Sequence, residues 1–402
     1  MTKALSNWFC ATALAWTLVA TSSTRAADFG QPGPYPLTES VVTVSRADTT
    51  TFEALLFYPA SPSVTSLPVV VFAHGFLSPP ELYRTTCRHI ASWGYVLIAS
   101  RSGLEPFPSH AAYARDLSDC LTWVITANSA NGSPLAGRIA PGAYGITGHS
   151  MGGGASLLAA AEDPRFVAVA PMAAADTRPS AVEASALIAA PLLFITGSQD
   201  SFVPNPFHTR PMFDQTAAPS VWIDIKGAYH CGFLSVPLPS AVCDDGTLSR
   251  QAQLARVHPL VTAFFELNLK GNQSAWNTVW GPTTDLDRGL TVRRKSIASL
   301  SPDRTRLSAP VGGTTGFNVE VRNTSATPRT FAIEAESGIA TVTVSPTTTP
   351  LLAPGELATI SVTASLPANG RTRRDTVQVR AIDAASPAEG GDYAWGLIRI
   401  TR

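Results

Sequence analysis

From Leu67 to about Leu269 the chain alternates short apolar runs with amphipathic stretches, and this alternation limits the fold more than any other feature. The runs are PVVVFA (68–73), GYVLIAS (94–100), AYGIT (143–147), FVAVA (166–170), PLLFITG (191–197) and VWIDI (221–225). Between them lie segments such as YARDLSDCLTWVITA (113–127), apolar at helical spacing. Strands that are apolar throughout are buried on both faces, and intervening helices supply the crossovers that parallel strands need. The expectation is an α/β unit, a mostly parallel central sheet with helices on both faces. Before it, ESVVTVSRADTTTFEALLFYP (39–59) alternates apolar and polar residues around a turn, as an antiparallel edge hairpin does. RVHPLVTAFFELNLKG reads as the last helix, with Gly271 as its stop.

After about Arg294 the helical periodicity ends. FNVEVRN, TFAIEAE, ATVTVS, ATISVTAS, DTVQVRA and YAWGLIRI are short strands, several strictly alternating, separated by Pro/Gly/Asn turns. Such a series indicates an all-β sandwich of immunoglobulin-like type. The expected organisation is a catalytic α/β unit over residues 27–292, a polar linker over 293–305 and the sandwich over 306–402. The sandwich contains no Cys or His and no catalytic constellation; its strands leave open whether it binds a polymer, binds a cell surface or only stabilises.

At the N-terminus the short apolar run WFCATALAWTLVA follows Lys3 and precedes TSSTRA. Residues 1–26 read as a secretory signal peptide cut after Ala26, with an uncleaved anchor as the alternative. Cys10 sits too early in the run to be a lipoprotein cysteine. The 29 basic and 29 acidic residues balance, so no nucleic-acid footprint is present. No apolar run reaches membrane-spanning length. Export permits disulfides, and Cys87, Cys120, Cys231 and Cys243 allow three pairings. Cys231 and Cys243 share one Pro/Gly-containing loop and are the favoured pair, with a stabilisation of about 3 kcal/mol. Cys87 and Cys120 fall in helical stretches, either as a second pair or as two buried thiols.

The glycine-rich stretch YGITGHSMGGGAS (144–156) admits two readings, a phosphate cradle or a raised nucleophile. A P-loop requires a lysine that this stretch lacks, and Gly148, Gly152, Gly153 and Gly154 do not have dinucleotide-binding spacing. Gly148-His149-Ser150-Met151-Gly152 is G-x-S-x-G directly after a strand and before a helix, the context of a nucleophile elbow. A serine hydroxyl needs a base and the base an orienting acid, in the chain order Ser, Asp or Glu, His, each at a strand's carboxyl end. PLLFITGSQD supplies Asp200 and VWIDIKGAYH supplies His230 at those places; Asp214, inside the next helical segment, is the reserve acid. Backbone amides of Met151 and of Phe76, in His74-Gly75-Phe76 after the first buried strand, are the expected oxyanion donors. His74 and His149 read as scaffold histidines. There is no HExxH and no zinc-like Cys/His spacing, so neither metal nor cofactor is expected.

VVVFAHGF, GHSMGGGASL, GSQDSFVP and GAYHCGF together resemble the α/β-hydrolase superfamily. Within it they are most similar to the secreted dienelactone-hydrolase-like, chlorophyllase-like and cutinase-like polyester-hydrolase branch. The resemblance covers residues 38–292 and implies Ser150 as nucleophile, His230 as general base, Asp200 as its orienter, and the Phe76 and Met151 amides as oxyanion donors. Where bacterial polyester hydrolases usually carry a Trp, Ala175 stands here, which departs from an aromatic-polyester pattern. The serine nucleophile likewise departs from the cysteine of true dienelactone hydrolases.

FVAVA ends at Ala170 and PLLFITG begins at Pro191, too short an interval for a large lid. The site is expected to be open, with Phe76, Leu77, Met151, Phe202 and Phe233 as an apolar wall; core packing is the bland alternative for each. The expected activity is hydrolysis of hydrophobic carboxylic esters, small or polymeric. A peptidase or amidase on the same fold, or a non-catalytic polymer- or surface-binding protein, are the competing readings.

Overall fold

The computed structural model describes residues 28–216, 219–369 and 372–401, so the expected signal peptide lies outside the described residues. The apolar runs become strands of one sheet: β1 (Leu37–Ser45), β2 (Thr51–Pro59), β3 (Leu67–Ala73), β4 (Val96–Ser100) and β5 (Ile139–His149). It continues with β6 (Ala168–Met172), β7 (Leu192–Gly197), β8 (Ser220–Ile225) and β9 (Leu290–Lys295). The order across the sheet is β1-β2-β4-β3-β5-β6-β7-β8-β9. Pairing from β4 through β8 is parallel, while the β1–β2 hairpin and β9 add antiparallel edges.

All seven residues of β3 are buried, and successive ones face opposite cores. Val70 and Phe72 belong to one core and Val69, Val71 and Ala73 to the other. The first core is covered by α1 (Arg84–Ser92), and the second by α2 (His110–Ser129), α3 (Met151–Glu162), α4 (Ala181–Ser185) and α5 (Thr209–Gln215). A further helix, α6 (Arg250–Lys270), packs on the first core beside α1. Ser249 caps its start by accepting from Ala252 N, and Gly271, left-handed at φ 66°, ends it.

The polar stretch expected to be a linker is structured. In β9 Leu290 and Val292 face the core while Arg293 lies over the Trp222 ring at 4.9 Å. One-sided burial makes the strand read as polar, yet it pairs with β8 from Ile225↔Leu290 to Ser220↔Lys295. Only Ser296 and Ile297 separate it from β10 (Ala298–Pro302). With β10 come β11 (Arg306–Pro310), β12 (Thr314–Asn323), β13 (Phe331–Ser337), β14 (Thr341–Ser345), β15 (Leu357–Ser365), β16 (Arg374–Asp383) and β17 (Gly391–Thr401). They form two four-stranded sheets, β10-β12-β15-β14 and β11-β17-β16-β13. Alternate residues such as Phe317, Val319 and Val321 point into the core between them.

The β-unit is docked on the first. Trp276 and Trp280, from α7 (Trp276–Val279) and the residue after it, are buried in the core that also contains Ile382. Gln378 Nε2 donates to Asn277 Oδ1 at 3.1 Å. Tyr393 donates to Asp285, at the end of α8 (Pro282–Asp285). Because β9 runs antiparallel to β8, the chain enters the β-unit at the amino ends of the parallel strands.

Candidate active site

The carboxyl ends of β5, β7 and β8 carry Ser150, Asp200 and His230. Ser150 joins β5 to α3 with φ 59° and ψ −122°, a backbone conformation that costs a non-glycine residue on the order of 1–3 kcal/mol. The turn is held from three sides: Ser150 N donates to Met172 O at 3.0 Å, and Ser150 O accepts from Ala175 N at 2.9 Å and Gly154 N at 3.1 Å. Crowding explains the flanking glycines. A Cβ on Gly152 would lie 2.3 Å from Ala73 O, and one on Gly148 would lie 2.5 Å from Gly152 O.

The structure brings Asp200 and His230 together: His230 Nδ1 lies 2.7 Å from Asp200 Oδ2, with both side chains almost wholly buried. Asp200 Oδ1 is occupied by the amides of Phe202 at 3.0 Å and Val203 at 2.7 Å. The carboxylate is therefore fixed by its own loop before it meets the imidazole. An acceptor at Nδ1 fixes the tautomer with Nε2 free to take a proton. Asp214 stands elsewhere, exposed on α5 and paired with Arg210 at 3.6 Å, and it is Asp200 that meets His230.

His149 packs between these groups, its ring 4.4 Å from His230 and 5.1 Å from Phe233. Burial, with His230 close by, holds it well below the ordinary histidine range and therefore neutral. His74 is also buried, with Nδ1 and Nε2 each 2.8 Å from a carbonyl, Gly75 O and Ser102 O respectively; burial lowers its pKa.

Of the expected wall, Phe76 (48 % exposed), Leu77 (53 %) and Phe202 (52 %) are open to solvent, and Phe202 sets its edge on His230 at 5.4 Å. Met151 is buried at the head of α3. Phe233 is not a wall residue: at 1 % exposure it is core, filling the space behind His149, because its single helical turn tucks under the loop. As the first residue of α3, Met151 has an amide with no intrahelical acceptor. Phe76 N–H has no acceptor among the described residues.

Two residues that motif reading passed over hold this site. Asp244 accepts from Ser201 N at 3.2 Å, His230 N at 2.9 Å and Cys231 N at 3.0 Å, so one carboxylate ties the Asp200 loop to the His230 loop. The Cys231–Cys243 disulfide places it there, with Cα atoms 5.8 Å apart. Nothing but adjacency to a cysteine marks Asp244 in the sequence. Tyr83 is the second, and its signal is long-range: its hydroxyl is 2.9 Å from His149 Nδ1. Cys87 and Cys120 are buried thiols on α1 and α2, in the cores on opposite faces of the sheet, and so do not pair. Among the described residues no cluster of His, Cys, Asp or Glu could hold a metal ion, and no helix is long and apolar enough to cross a membrane.

A strained serine between a strand and a helix thus shares one edge of the sheet with a buried carboxylate–imidazole pair. A family model described as "PETase: PET hydrolase-like" matches residues 21–236, and the chain belongs to that family. The match contains Ser150, Asp200 and His230 and stops before β9 and the β-unit. A bis(hydroxyethyl) terephthalate hydrolase of Streptomyces coelicolor is 28 % identical over 202 residues, 49 % of this chain and 61 % of its own length. Cutinase est2 of Thermobifida alba is 29 % identical over 145 residues, 35 % of this chain and 45 % of its own. The chain thus spans less than two thirds of either relative.

Proposed function

We propose that this protein is an exported serine hydrolase that cleaves carboxylic esters with hydrophobic acyl groups, polyesters among them. The observation that carries the reading is the buried Asp200–His230 pair, 2.7 Å apart, at the strand end beside a serine forced to positive φ. In this reading Ser150 Oγ attacks the ester carbonyl while His230 Nε2 takes its proton. Asp200 steadies the imidazolium, and the Phe76 and Met151 amides receive the developing oxyanion. His230 returns the proton to the leaving alkoxide oxygen, and the acyl-enzyme is released by water activated at the same nitrogen. The exposed Phe76, Leu77 and Phe202 favour an apolar acyl chain, and the names of the two relatives favour an ester. The disulfide fits an oxidising compartment, in keeping with export. The β-unit from Ala298 onward is read as an immunoglobulin-like sandwich domain that stabilises the catalytic unit through Trp276 and Trp280.

Parallel assays of p-nitrophenyl esters, the matching anilide and a polyester film test the reading. Ester turnover that disappears in Ser150→Ala is expected; turnover of the anilide alone, or a Ser150→Ala enzyme as active as wild type, overturns it.

A further inference from the structure

Tyr83 lies eight residues beyond Gly75 in sequence and wholly inside the fold, with its ring against Phe72 at 5.1 Å and His149 at 5.5 Å. Packing alone would be served by phenylalanine. The hydroxyl instead has two partners: Gly75 N–H donates to it at 3.1 Å, and it lies 2.9 Å from His149 Nδ1. A phenol has one proton. With Gly75 N–H on one lone pair of Oη, the phenol keeps its proton and a second lone pair, so it can meet His149 Nδ1 in either tautomer of the neutral ring.

The peptide units on both sides of Gly75 are thereby pinned. The unit before it is held through Gly75 N–H on Tyr83. The unit after it, which carries Phe76 N–H, is held through its carbonyl: Gly75 O has His74 Nδ1 at 2.8 Å and accepts from Ser78 N at 3.1 Å. In a planar trans peptide the N–H points opposite to the C=O. Pinning Gly75 O on one side therefore aims Phe76 N–H to the other. The phenol and the serine are close neighbours, since a Cβ on Gly75 would lie 2.9 Å from Tyr83 Oη and 3.3 Å from Ser150 Cβ.

We infer that Tyr83 is a positioning residue for the oxyanion site: its hydroxyl fixes the Gly75 amide so that Phe76 N–H faces the substrate oxygen at Ser150. The same hydroxyl anchors the His149 ring beside His230. This rests on the serine-hydrolase reading above.

Tyr83→Phe keeps the ring and removes one oxygen. On the full chain, with rates normalised to active sites titrated by a phosphonate ester, kcat for a p-nitrophenyl ester should fall about tenfold to a hundredfold. KM should stay within about twofold, because the oxyanion contact is made in the transition state. Affinity for an alkyl boronic acid, which forms a tetrahedral adduct on the serine, should fall by the same factor as kcat/KM. Should Tyr83→Phe not fold, Gly75→Ala, whose Cβ displaces the phenol, should give the same split between kcat and KM. An undiminished kcat, or a lower kcat with unchanged boronate affinity, overturns the positioning role. Ser150→Ala separates the two failures. Its inactivity beside a fully active Tyr83→Phe leaves the hydrolase reading intact and removes only this inference, whereas turnover that survives Ser150→Ala removes both.

Discussion

Two pairs of histidine rings lie against each other in this protein, His149 with His230 and His89 with His258, their centroids 4.4 and 4.3 Å apart. Their surroundings differ. His230 has Asp200 at 2.7 Å, whereas His89 Nε2 meets only Phe29 O at 2.9 Å and His258 Nε2 only Thr86 Oγ1 at 3.2 Å. Burial pushes His89 down, and burial with His89 beside it pushes His258 to about 3. The second pair is neutral filling between α1 and α6, while the first joins the last residue of β5 to the loop after β8. What separates the two pairs is neither ring contact nor burial but the carboxylate that Asp200 sets against Nδ1 of His230.

That contrast can be broken first at the carboxylate. Asp200→Asn should turn the first pair into something like the second and lower kcat for ester hydrolysis about 10⁴-fold, with the fold kept. A variant within about tenfold of wild type would mean that the carboxylate is not the difference. The next largest effect concerns the loops. Replacing both Cys231 and Cys243 by Ser should cost about 3 kcal/mol in urea unfolding, because a short loop is no longer closed in the unfolded chain. Asp244→Ala should cost about 2 kcal/mol, having freed three amides, and should lower kcat as the two loops drift apart. An unchanged kcat would assign Asp244 to stability alone.

An effect confined to acid pH sharpens the other side of the comparison. Folded His258 stays neutral down to about pH 3, while the unfolded chain's histidine protonates near 6.5. The unfolded state thus binds more protons between those values. The contribution of His258 is fully present above about 6.5 and declines as pH falls, by about 2 kcal/mol near pH 5. His258→Gln should flatten the acid limb of a stability–pH curve by that amount and leave ester turnover at neutral pH unchanged.

Much of this was legible in the chain. Unbroken apolar runs such as VVVFA announced strands buried on both faces, and the succession Ser150, Asp200, His230 followed strand ends in order. What escaped reading did so for physical reasons. In β9 only Leu290 and Val292 are apolar and Arg293, Arg294 and Lys295 follow in a row, so the end of an edge strand looked like a linker. Phe233 sits beside a site histidine in sequence, yet a single helical turn sends it inward. Asp244 and Tyr83 act through backbone amides and a ring nitrogen distant in the chain, contacts that carry no spacing pattern.

Because β9 leads the chain to the amino ends of the parallel strands, the sandwich is entered at the end of the sheet opposite the one that carries Ser150. A surface gripped by the sandwich's far side would leave the serine facing away from it, toward whatever arrives from the other direction. On such an architecture the sandwich is a pedestal, standing under the sheet at the end away from the strained serine.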